Sequence, residues 1–535
     1  MMYEIRTTAK RSLIRYILVM LPLIISVVPH LDFTPLWDSA IYVGCVRDGI
    51  VNGLNLWALN CSHHPSVATF LPLAYAFKWS GGAMWSIHAM NLLLGMIAMC
   101  LMLKIFDLLY PETSRSERCL AAACIGAMPV LPASVIHTNS DYGTFIFAVV
   151  LMLSLLKRWR WLAGLASAIL PLTKDPGLPV WGILVGSYLL TAVFRREGSV
   201  RHKLKAAFFF WPVSSALVSY GWYVFERHSR GLDVLAPPST SSSWALISQA
   251  LTISLFDPVW LSYLSSMFVI NFLWIPSCII LIGAGLWGLK KVFGCPPESN
   301  PMRRELIVLL IILLLLLFTR FKTFVNVRYF LPIFPVIMLA TFHALQSFVP
   351  WRRARIFALS LILVLFQLSA FRTFDPVSKG VYGSFKFGNH ELLDMTSITK
   401  ECCGRGRDQL VYNLEFTYFD SLTNQVLADL RPTAGLPLVI AHQSSWHYLQ
   451  WITGSTSPQR AAVQSGTTIR APVITAAHLT GKTQDSLPEK IIWLDLPNIN
   501  GDLEFKSLLN QYKVVEEKVY SRQGYELYAK ILVRL

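Results

Sequence analysis

Long apolar runs separated by short polar loops fill the first 371 residues of the chain. A transmembrane helix needs about 20 predominantly apolar residues to cross the hydrocarbon core of a bilayer. The runs lie at residues 14–29, 83–106, 118–136, 141–157, 160–172, 177–194, 205–225, 262–289, 305–319, 329–347 and 354–371. This pattern predicts a polytopic α-helical membrane protein with about eleven transmembrane helices.

One further apolar stretch, residues 66–79, is short and is interrupted by Pro72. We predict that it forms an interfacial helix, which lies along the membrane surface instead of crossing it. If it crossed, every later basic loop would move to the opposite side of the membrane. Residues 30–82 are therefore predicted to form the first outer loop.

Basic residues mark the inner side of this topology. The loops 104–118, 157–160, 195–205, 290–304 and 351–355 carry most of the basic residues and all fall on one side. Cytoplasmic loops show this excess of Lys and Arg. The basic amino end precedes an apolar run with no small-residue cleavage site, which is typical of a retained signal anchor. We expect a cytoplasmic amino terminus and a location in the cell (inner) membrane.

Composition and charge narrow the class of protein. Apolar residues make up 54% of the chain and charged residues only 15%, whereas about 25% of an ordinary soluble domain is charged. The net charge of +16 arises largely from basic loops beside apolar runs, so nucleic acid is not an expected partner. The nine cysteines include no CxxC pair. Cys45 and Cys61 can pair if their loop faces an oxidising compartment.

The last part of the chain, residues 372–535, has a different pattern. Short β-rich runs alternate with helix-like stretches near 416–430 and 502–511, and residues 512–520 and 524–533 resemble an antiparallel hairpin. We predict an extracytoplasmic α/β domain, separate from a transmembrane catalytic domain at residues 1–371. It contains no Gly-rich phosphate loop, and recognition of a sugar or an acceptor is its expected role.

Charged residues also occur on the predicted outer side, where the topology does not explain them. Acidic residues and histidines lie in three outer loops: Asp38, His63, His64, Asp141 and Asp175. Cations lie beside them or in a later loop: Lys174, Arg320, Lys322 and Arg328. Outer cations are tolerated where they meet an anion such as phosphate, although basic side chains at helix ends also extend to lipid headgroups. The pattern favours a site that both removes a proton and holds phosphate.

Five short motifs occur in a fixed order along the chain. They are Asp38-Ser-Ala-Ile-Tyr42, His64-Pro65, Asp141, Leu172-Thr-Lys174-Asp-Pro176 and Arg328-Tyr-Phe-Leu-Pro332. The order resembles that of GT-C glycosyltransferases, in the branches related to protein O-mannosyltransferases and bacterial aminoarabinose transferases. The resemblance covers residues 14–371. It departs from the family at Ser39, where a second acid is common, at Asp175, where glycine is common, and at His64-Pro65-Ser66, where a Pro-Pro pair is common.

The resemblance implies transfer of a sugar from a polyprenyl-phosphate donor to a lipid, glycan or protein acceptor on the extracytoplasmic face. It implies that Asp38 acts as base or positions the acceptor, and that Asp141 is a second acidic residue of the catalytic site. Lys174 and Arg328 would neutralise the donor phosphate. Tyr42, His64, Asp175 and Tyr329 are the further residues expected to contact substrate.

The residue types fit that reaction. A carboxylate takes the acceptor proton, and fixed cations stabilise the charge that develops on the departing phosphate. Inversion is expected, because no second carboxylate is placed as a nucleophile. Arg320 and Lys322 are further candidate phosphate ligands, and they keep a diphosphate donor open. A divalent metal ion is an open expectation, with His63 as its candidate ligand beside Asp38 or Asp141.

Two alternatives belong to other functional classes. A secondary transporter also has many spans, but it shows interrupted helices at matching positions in two halves, and no internal repeat is visible here. A non-catalytic scaffold for envelope assembly would keep the fold without the chemistry. Unchanged function in Asp38→Asn and Lys174→Ala variants would favour this scaffold over an enzyme.

Overall fold

The computed structural model describes the chain in segments, and the statements below concern these residues. They are 2–33, 38–51, 53–61, 64–194, 199–231, 268–269, 272–292, 306–314, 327–370, 386–387, 390–391, 421–433, 435–440, 473–476, 479, 484–495, 502–522 and 525–535.

Helices dominate the chain as far as residue 370. They are α1 (Met2–Val27), α2 (Asp38–Asp48), α3 (Val67–Trp79), α4 (Met84–Leu109), α5 (Arg115–Ala127), α6 (Val130–Ile136), α7 (Ser140–Lys157), α8 (Arg160–Ile169), α9 (Gly177–Phe194), α10 (Ser199–Ser229), α11 (Trp274–Val292), α12 (Phe334–Phe348) and α13 (Arg352–Ala370). Two 3-10 helices, Leu170–Leu172 and Val327–Ile333, precede α9 and α12. A further short helical segment covers residues 306–314.

Five described helical segments are long and apolar enough to cross a membrane. They are Leu13–His30, Met84–Leu109, Ser140–Lys157, Arg328–Phe348 and Arg352–Ala370. The pair α5 and α6 adds a sixth if it is counted as one bent span, and α8, α9 and α11 lie in shorter apolar segments. The structure therefore supports a helical membrane protein, while the count of about eleven crossings stays a prediction.

The bend between α5 and α6 has a local cause in the sequence. Ser114 and Glu117 form a capping box that starts α5. Pro129 ends it, because proline has no N–H to donate and forces Met128 before it into an extended conformation. The axes of α5 and α6 differ by 53°. This bend leads the chain into the polar turn at residues 137–141, from which α7 starts.

Two glycines allow close packing around α7. A Cβ at Gly143 would lie 2.0 Å from Thr69 Oγ1 of α3, and a Cβ at Gly95 of α4 would lie 2.0 Å from Tyr142 Oη. Small residues let helix backbones approach closely, as is common in membrane proteins. Residues 67–79 are helical, and α3 buries Phe70, Leu73 and Phe77 against its neighbours. The interfacial position of this helix stays a prediction.

Ion pairs join the helices at the other end of the bundle. Asp107 at the end of α4 accepts from Arg15 of α1 at 2.8 Å and lies 2.8 Å from Arg118 of α5. Glu117, which is fully buried, pairs with Arg355 of α13 at 2.5 Å. These pairs tie α1, α4, α5 and α13 together at the end that lies away from Asp141.

The carboxyl-terminal part of the chain contains a five-stranded mixed sheet. Its strands are β3 (Leu438–Ile440), β4 (Val473–Thr475), β5 (Lys490–Asp495), β6 (Tyr512–Arg522) and β7 (Tyr525–Arg534), after a short pair β1 (Lys386–Phe387) and β2 (His390–Glu391). The strand order is β4-β3-β5-β7-β6, with β3 parallel to β4 and β5, and β7 antiparallel to both of its neighbours. The hairpin predicted for the end of the chain is β6–β7.

The central strand β5 is buried on both faces. Ile491 and Trp493 pack on one side with helix α14 (Asp502–Leu508), where the rings of Trp493 and Phe505 lie 5.3 Å apart. Ile492 and Leu494 belong to the cluster on the opposite face, which also contains apolar residues from the helix at 421–430. This is the alternation expected of a strand between two layers. The boundary predicted at residue 371 lies outside the described residues and stays a prediction.

Candidate functional site

A buried ion pair lies at the start of α7. Lys174 Nζ donates to Asp141 Oδ2 at 2.7 Å, and the two side chains are only 5% and 3% exposed. Asp141 occupies the first turn of α7, where the helix dipole favours a negative charge. Lys174 comes from the turn before α9. Residues 33 positions apart in the sequence thus meet in the interior.

Arg328 is the second cation at this carboxylate. Its Nε lies 3.6 Å from Asp141 Oδ2, and its Nη1 donates to Asn139 Oδ1 at 3.2 Å. The Arg328 side chain is 1% exposed. One buried carboxylate thus faces two buried cations. A buried charge needs such partners, and Asp141 and Asn139 are partners of Arg328 among the described residues.

An aromatic ring lies beside both cations. Lys174 Nζ is 4.3 Å from the centroid of the Tyr329 ring, and the Arg328 guanidinium carbon is 5.4 Å from the same centroid. Cations at these distances are attracted to the face of the ring. Tyr42 of α2 is also an electrostatic neighbour of Lys174, and its ring packs against Phe70 of α3 at 5.4 Å.

The protonation state of Lys174 follows from its neighbours. Burial alone lowers the pKa of a lysine, because it disfavours the charged form. Burial is the largest single influence on Lys174, but Asp141, Tyr42 and Tyr329 together outweigh it, and the pKa of Lys174 stands above its ordinary value. The ammonium group therefore remains charged at neutral pH and is available to bind an anion.

The turn that carries Lys174 is held by hydrogen bonds from two other helices. Thr173 Oγ1 donates to Leu170 O at 2.7 Å and lies 2.9 Å from Thr144 Oγ1 of α7. Thr69 of α3 donates to Thr173 O at 3.2 Å. A Cβ at Gly177 would lie 2.1 Å from Leu170 O, so the turn needs glycine there. The position of Lys174 is thus fixed by α3, α7 and the turn itself.

Asp175 contacts a histidine instead of the buried pair. Asp175 Oδ2 and His64 Nδ1 are 2.5 Å apart, and their side chains are 55% and 41% exposed. Partial burial raises the pKa of Asp175, but the hydrogen bond and charge of His64, with Lys174 and Arg227 nearby, lower it overall. The contact joins the loop before α3 to the Lys174 turn.

A disulfide fixes the helix that begins at Asp38. Cys45 of α2 is bonded to Cys61, with their Cα atoms 5.6 Å apart. The pairing that the sequence left open is therefore present. It holds α2, which contains Asp38 and Tyr42, to the loop that leads to His64. The side chain of Asp38 is not among the described parts of α2.

Four predicted site residues cannot be placed in this geometry. His63, Arg320 and Lys322 lie outside the described residues, as does the side chain of Asp38. Within the described residues no group of three His, Cys, Asp or Glu side chains is arranged to hold a metal ion. His64 is engaged with Asp175. The candidate ligands His63 and Asp38 are themselves among the residues that cannot be placed, so the divalent metal ion stays an expectation and we assign no catalytic step to it.

The polar turn at 137–141 contributes residues that sequence reasoning passed over. Asn139 accepts from Arg328 and lies 3.2 Å from His137 Nδ1. Thr138, at φ 49°, and Ser140 are fully buried, and their hydroxyls have no hydrogen-bond partner among the described residues. Buried hydroxyls are normally paired, so these groups favour a ligand with acceptor oxygens. The sequence does contain a signal for these site residues, because residues 137–141 are five consecutive polar residues between two apolar runs.

Comparisons with known proteins support the fold. No protein-family model and no curated protein matches the chain. The structure is similar to that of ArnT from Cupriavidus metallidurans bound to undecaprenyl phosphate, with a TM-score of 0.55, 13% identity and 97% of each chain covered. ArnT in the apo state gives a TM-score of 0.51, 12% identity and 98% of each chain covered. The chain therefore shares the fold of ArnT, as the resemblance to bacterial aminoarabinose transferases led us to expect.

Proposed function

We propose that this protein is a membrane glycosyltransferase that moves a sugar from a polyprenyl-phosphate donor to an acceptor on the extracytoplasmic face. The observation that carries the proposal is the buried cluster of Asp141, Lys174 and Arg328, where two cations face one carboxylate. The similarity of the fold to ArnT, whose structure holds undecaprenyl phosphate, supports a donor of this class.

The cluster supplies what the leaving group needs. When the bond between the anomeric carbon and the phosphate oxygen breaks, the departing phosphate gains negative charge. Lys174 and Arg328 are fixed beforehand, so they stabilise that charge without reorganisation. Arginine can bind two phosphate oxygens at once, and the hydroxyls of Thr138 and Ser140 can donate to the others. Arg320 and Lys322 remain candidate ligands for a second phosphate.

The two aspartates take different parts in this mechanism. Asp141 is committed to Lys174 and Arg328, so we assign it to positioning both cations and offsetting part of their charge. Asp38 is then the base that accepts the proton of the acceptor hydroxyl. The acceptor oxygen attacks the anomeric carbon from the side opposite the phosphate, and the configuration inverts.

The disulfide supports the orientation in the membrane. Disulfides persist in oxidising compartments and are rare in the cytosol. Cys45 and Cys61 both lie in the predicted outer loop, residues 30–82. An outer position of this loop favours a cytoplasmic amino end of α1. The site and residues 372–535 would then lie on the extracytoplasmic face. The class of acceptor, whether lipid, glycan or protein, stays open.

A donor-cleavage assay tests the function. Purified protein is incubated with several polyprenyl-phosphate sugars and a mixture of envelope acceptors, and release of polyprenyl phosphate is followed by mass spectrometry. We expect release from at least one donor, with loss of about 10²–10³-fold in rate on Lys174→Ala, as for other preorganised charge-stabilising groups. Lys157→Ala, at the exposed far end of α7, is the matched control.

Other results contradict the proposal. Absence of release from every donor, together with movement of a solute across proteoliposomes, would identify a transporter. Complementation of a deletion strain by Asp38→Asn and Lys174→Ala variants would identify a scaffold, because neither charge would then be needed.

A further inference from the structure

A groove on the membrane-facing surface lies far from the catalytic cluster. It is formed by α1, α5 and α13 and has a volume of about 530 Å³. Its lining residues are Arg15, Leu18, Leu21, Pro22 and Ile25 of α1, Arg115, Ser116, Cys119, Leu120 and Ala123 of α5, and Leu363, Val364 and Gln367 of α13. We call this the α1/α5/α13 groove.

The shape of the groove follows from how the three helices pack. Both α1 and α13 pack on α5, which forms the floor between them. The floor residues Cys119 and Ala123 are small, so the groove is deep. At its far end Gln367 Nε2 donates to Ser26 Oγ at 2.7 Å, which joins α13 to α1 and closes the groove there.

The groove is apolar along its length and basic at its open end. Its walls are formed by exposed apolar side chains, those of Leu18, Leu21, Ile25 and Val364. Arg15, Arg115 and Ser116 line the end nearer the amino terminus of α5, and no carboxylate is among the lining residues. Asp107 is shared between Arg15 and Arg118, so this end keeps an excess of positive charge.

The dimensions match one leaflet of a bilayer. Arg15 and Ile25 are ten residues apart on α1, which is about 15 Å at 1.5 Å per residue. The hydrocarbon core is about 30 Å thick. In the orientation proposed above, the basic end of the groove lies at the cytoplasmic surface, where anionic lipids are concentrated and basic pockets between helices bind their headgroups.

We infer that the α1/α5/α13 groove binds one anionic glycerophospholipid of the cytoplasmic leaflet. Its acyl chain lies between α1 and α13 on the floor of α5, and its phosphate contacts Arg115 and Ser116. This lipid lies at the opposite end of the bundle from Asp141, so it is distinct from the proposed donor site. It would hold α1 and α13 to α5 at the end away from the Gln367–Ser26 hydrogen bond.

Lipid binding to purified, delipidated full-length protein tests the inference by native mass spectrometry. The probes are phosphatidylglycerol and phosphatidylcholine with identical acyl chains. We expect one phosphatidylglycerol to bind in preference, and Arg115→Glu to weaken it by about fivefold or more, since each basic group near an anionic headgroup contributes about that factor. Ala123→Phe, which fills the floor, should abolish this site.

The matched control is Arg353→Glu, because Arg353 is an exposed arginine at the same end of α13 and does not line the groove. It should bind phosphatidylglycerol as the wild type does. Equal binding of both lipids, equal loss in Arg353→Glu, or unchanged binding in Ala123→Phe would overturn the inference. Displacement of phosphatidylglycerol by polyprenyl phosphate, one molecule for one, would also overturn it by identifying a prenyl occupant. None of these readouts depends on transferase activity.

Discussion

At the scale of single residues, the site is organised by charges that are almost completely buried. Lys174 and Arg328 are held in the interior by Asp141 and Asn139, because a charge removed from water needs a partner. Two fixed cations therefore meet at one buried place in the fold. This is the feature on which the proposed phosphate binding rests.

Removal of the Asp141 charge should destabilise the protein. Asp141→Asn leaves Lys174 and Arg328 buried without their carboxylate, and breaking a buried pair typically costs about 3–5 kcal/mol. We expect Asp141→Asn to lower the free energy of unfolding strongly, and Lys174→Met to restore part of it in the double variant. A double-mutant cycle from denaturant unfolding in detergent measures this coupling, and additive effects would contradict the pairing.

The contact between His64 and Asp175 should depend on pH in a defined direction. The pKa of Asp175 is lowered in the folded state, so the contact contributes stability above the unfolded-state pKa of about 3.9. That stability is lost as the pH falls through the lower folded-state value. We expect the stability difference between wild type and Asp175→Asn to be small at pH 7, below about 1 kcal/mol for a half-exposed pair.

Melting curves of both proteins at pH 7 and near pH 3 measure this difference. It should shrink at the lower pH, and it should already be reduced in a His64→Ala background. A difference that grows on acidification would show that Asp175 is stabilised in its protonated form, contrary to the geometry.

At the scale of elements, close approach of helices determines where the site residues lie. The bend at Pro129 directs the chain into the 137–141 turn, and α3 contributes Thr69 to the turn that carries Lys174. Gly143 allows α3 to lie directly against α7. The cluster therefore depends on helix packing at some distance from its charges.

Replacement of Gly143 should disturb the site through this packing. A Cβ there would meet Thr69 Oγ1 at 2.0 Å, and overpacking of this kind costs about 1–3 kcal/mol. We expect Gly143→Ala to lower both the melting temperature and donor cleavage. Gly186→Ala in α9 is the control, because no atom of the described residues lies within 4 Å of the added Cβ. Equal effects of the two variants would show that the α3–α7 contact is unimportant.

At the scale of the whole molecule, the two ends of the bundle have different characters. One end carries the buried cluster of Asp141, Lys174 and Arg328 and the disulfide-linked loop. The other carries the ion pairs of Asp107 and Glu117 and the basic mouth of the α1/α5/α13 groove. This polarity agrees with a protein that works on one side of a membrane and contacts anionic lipid on the other.

The orientation can be measured in intact cells. An epitope tag after Leu535 should be accessible to antibody in spheroplasts without permeabilisation, because the carboxyl-terminal sheet is proposed to lie outside. A single cysteine introduced at Lys157 should react with a membrane-impermeant maleimide only after permeabilisation, in a variant lacking the other reactive cysteines. The reverse pattern would invert the proposed topology and place the site in the cytoplasm.

The sequence by itself determined that this is a helical membrane protein with a β-containing end, because apolar runs and strand alternation are local properties. It also identified Asp141, Lys174 and Arg328 as charges that need an explanation. Only the tertiary structure decided that these three meet, that His64 is the partner of Asp175, and that Asn139 joins the cluster through Arg328. The reason is physical: a charge on an apolar chain is visible locally, but its partner is selected by helix bends and close packing between distant segments.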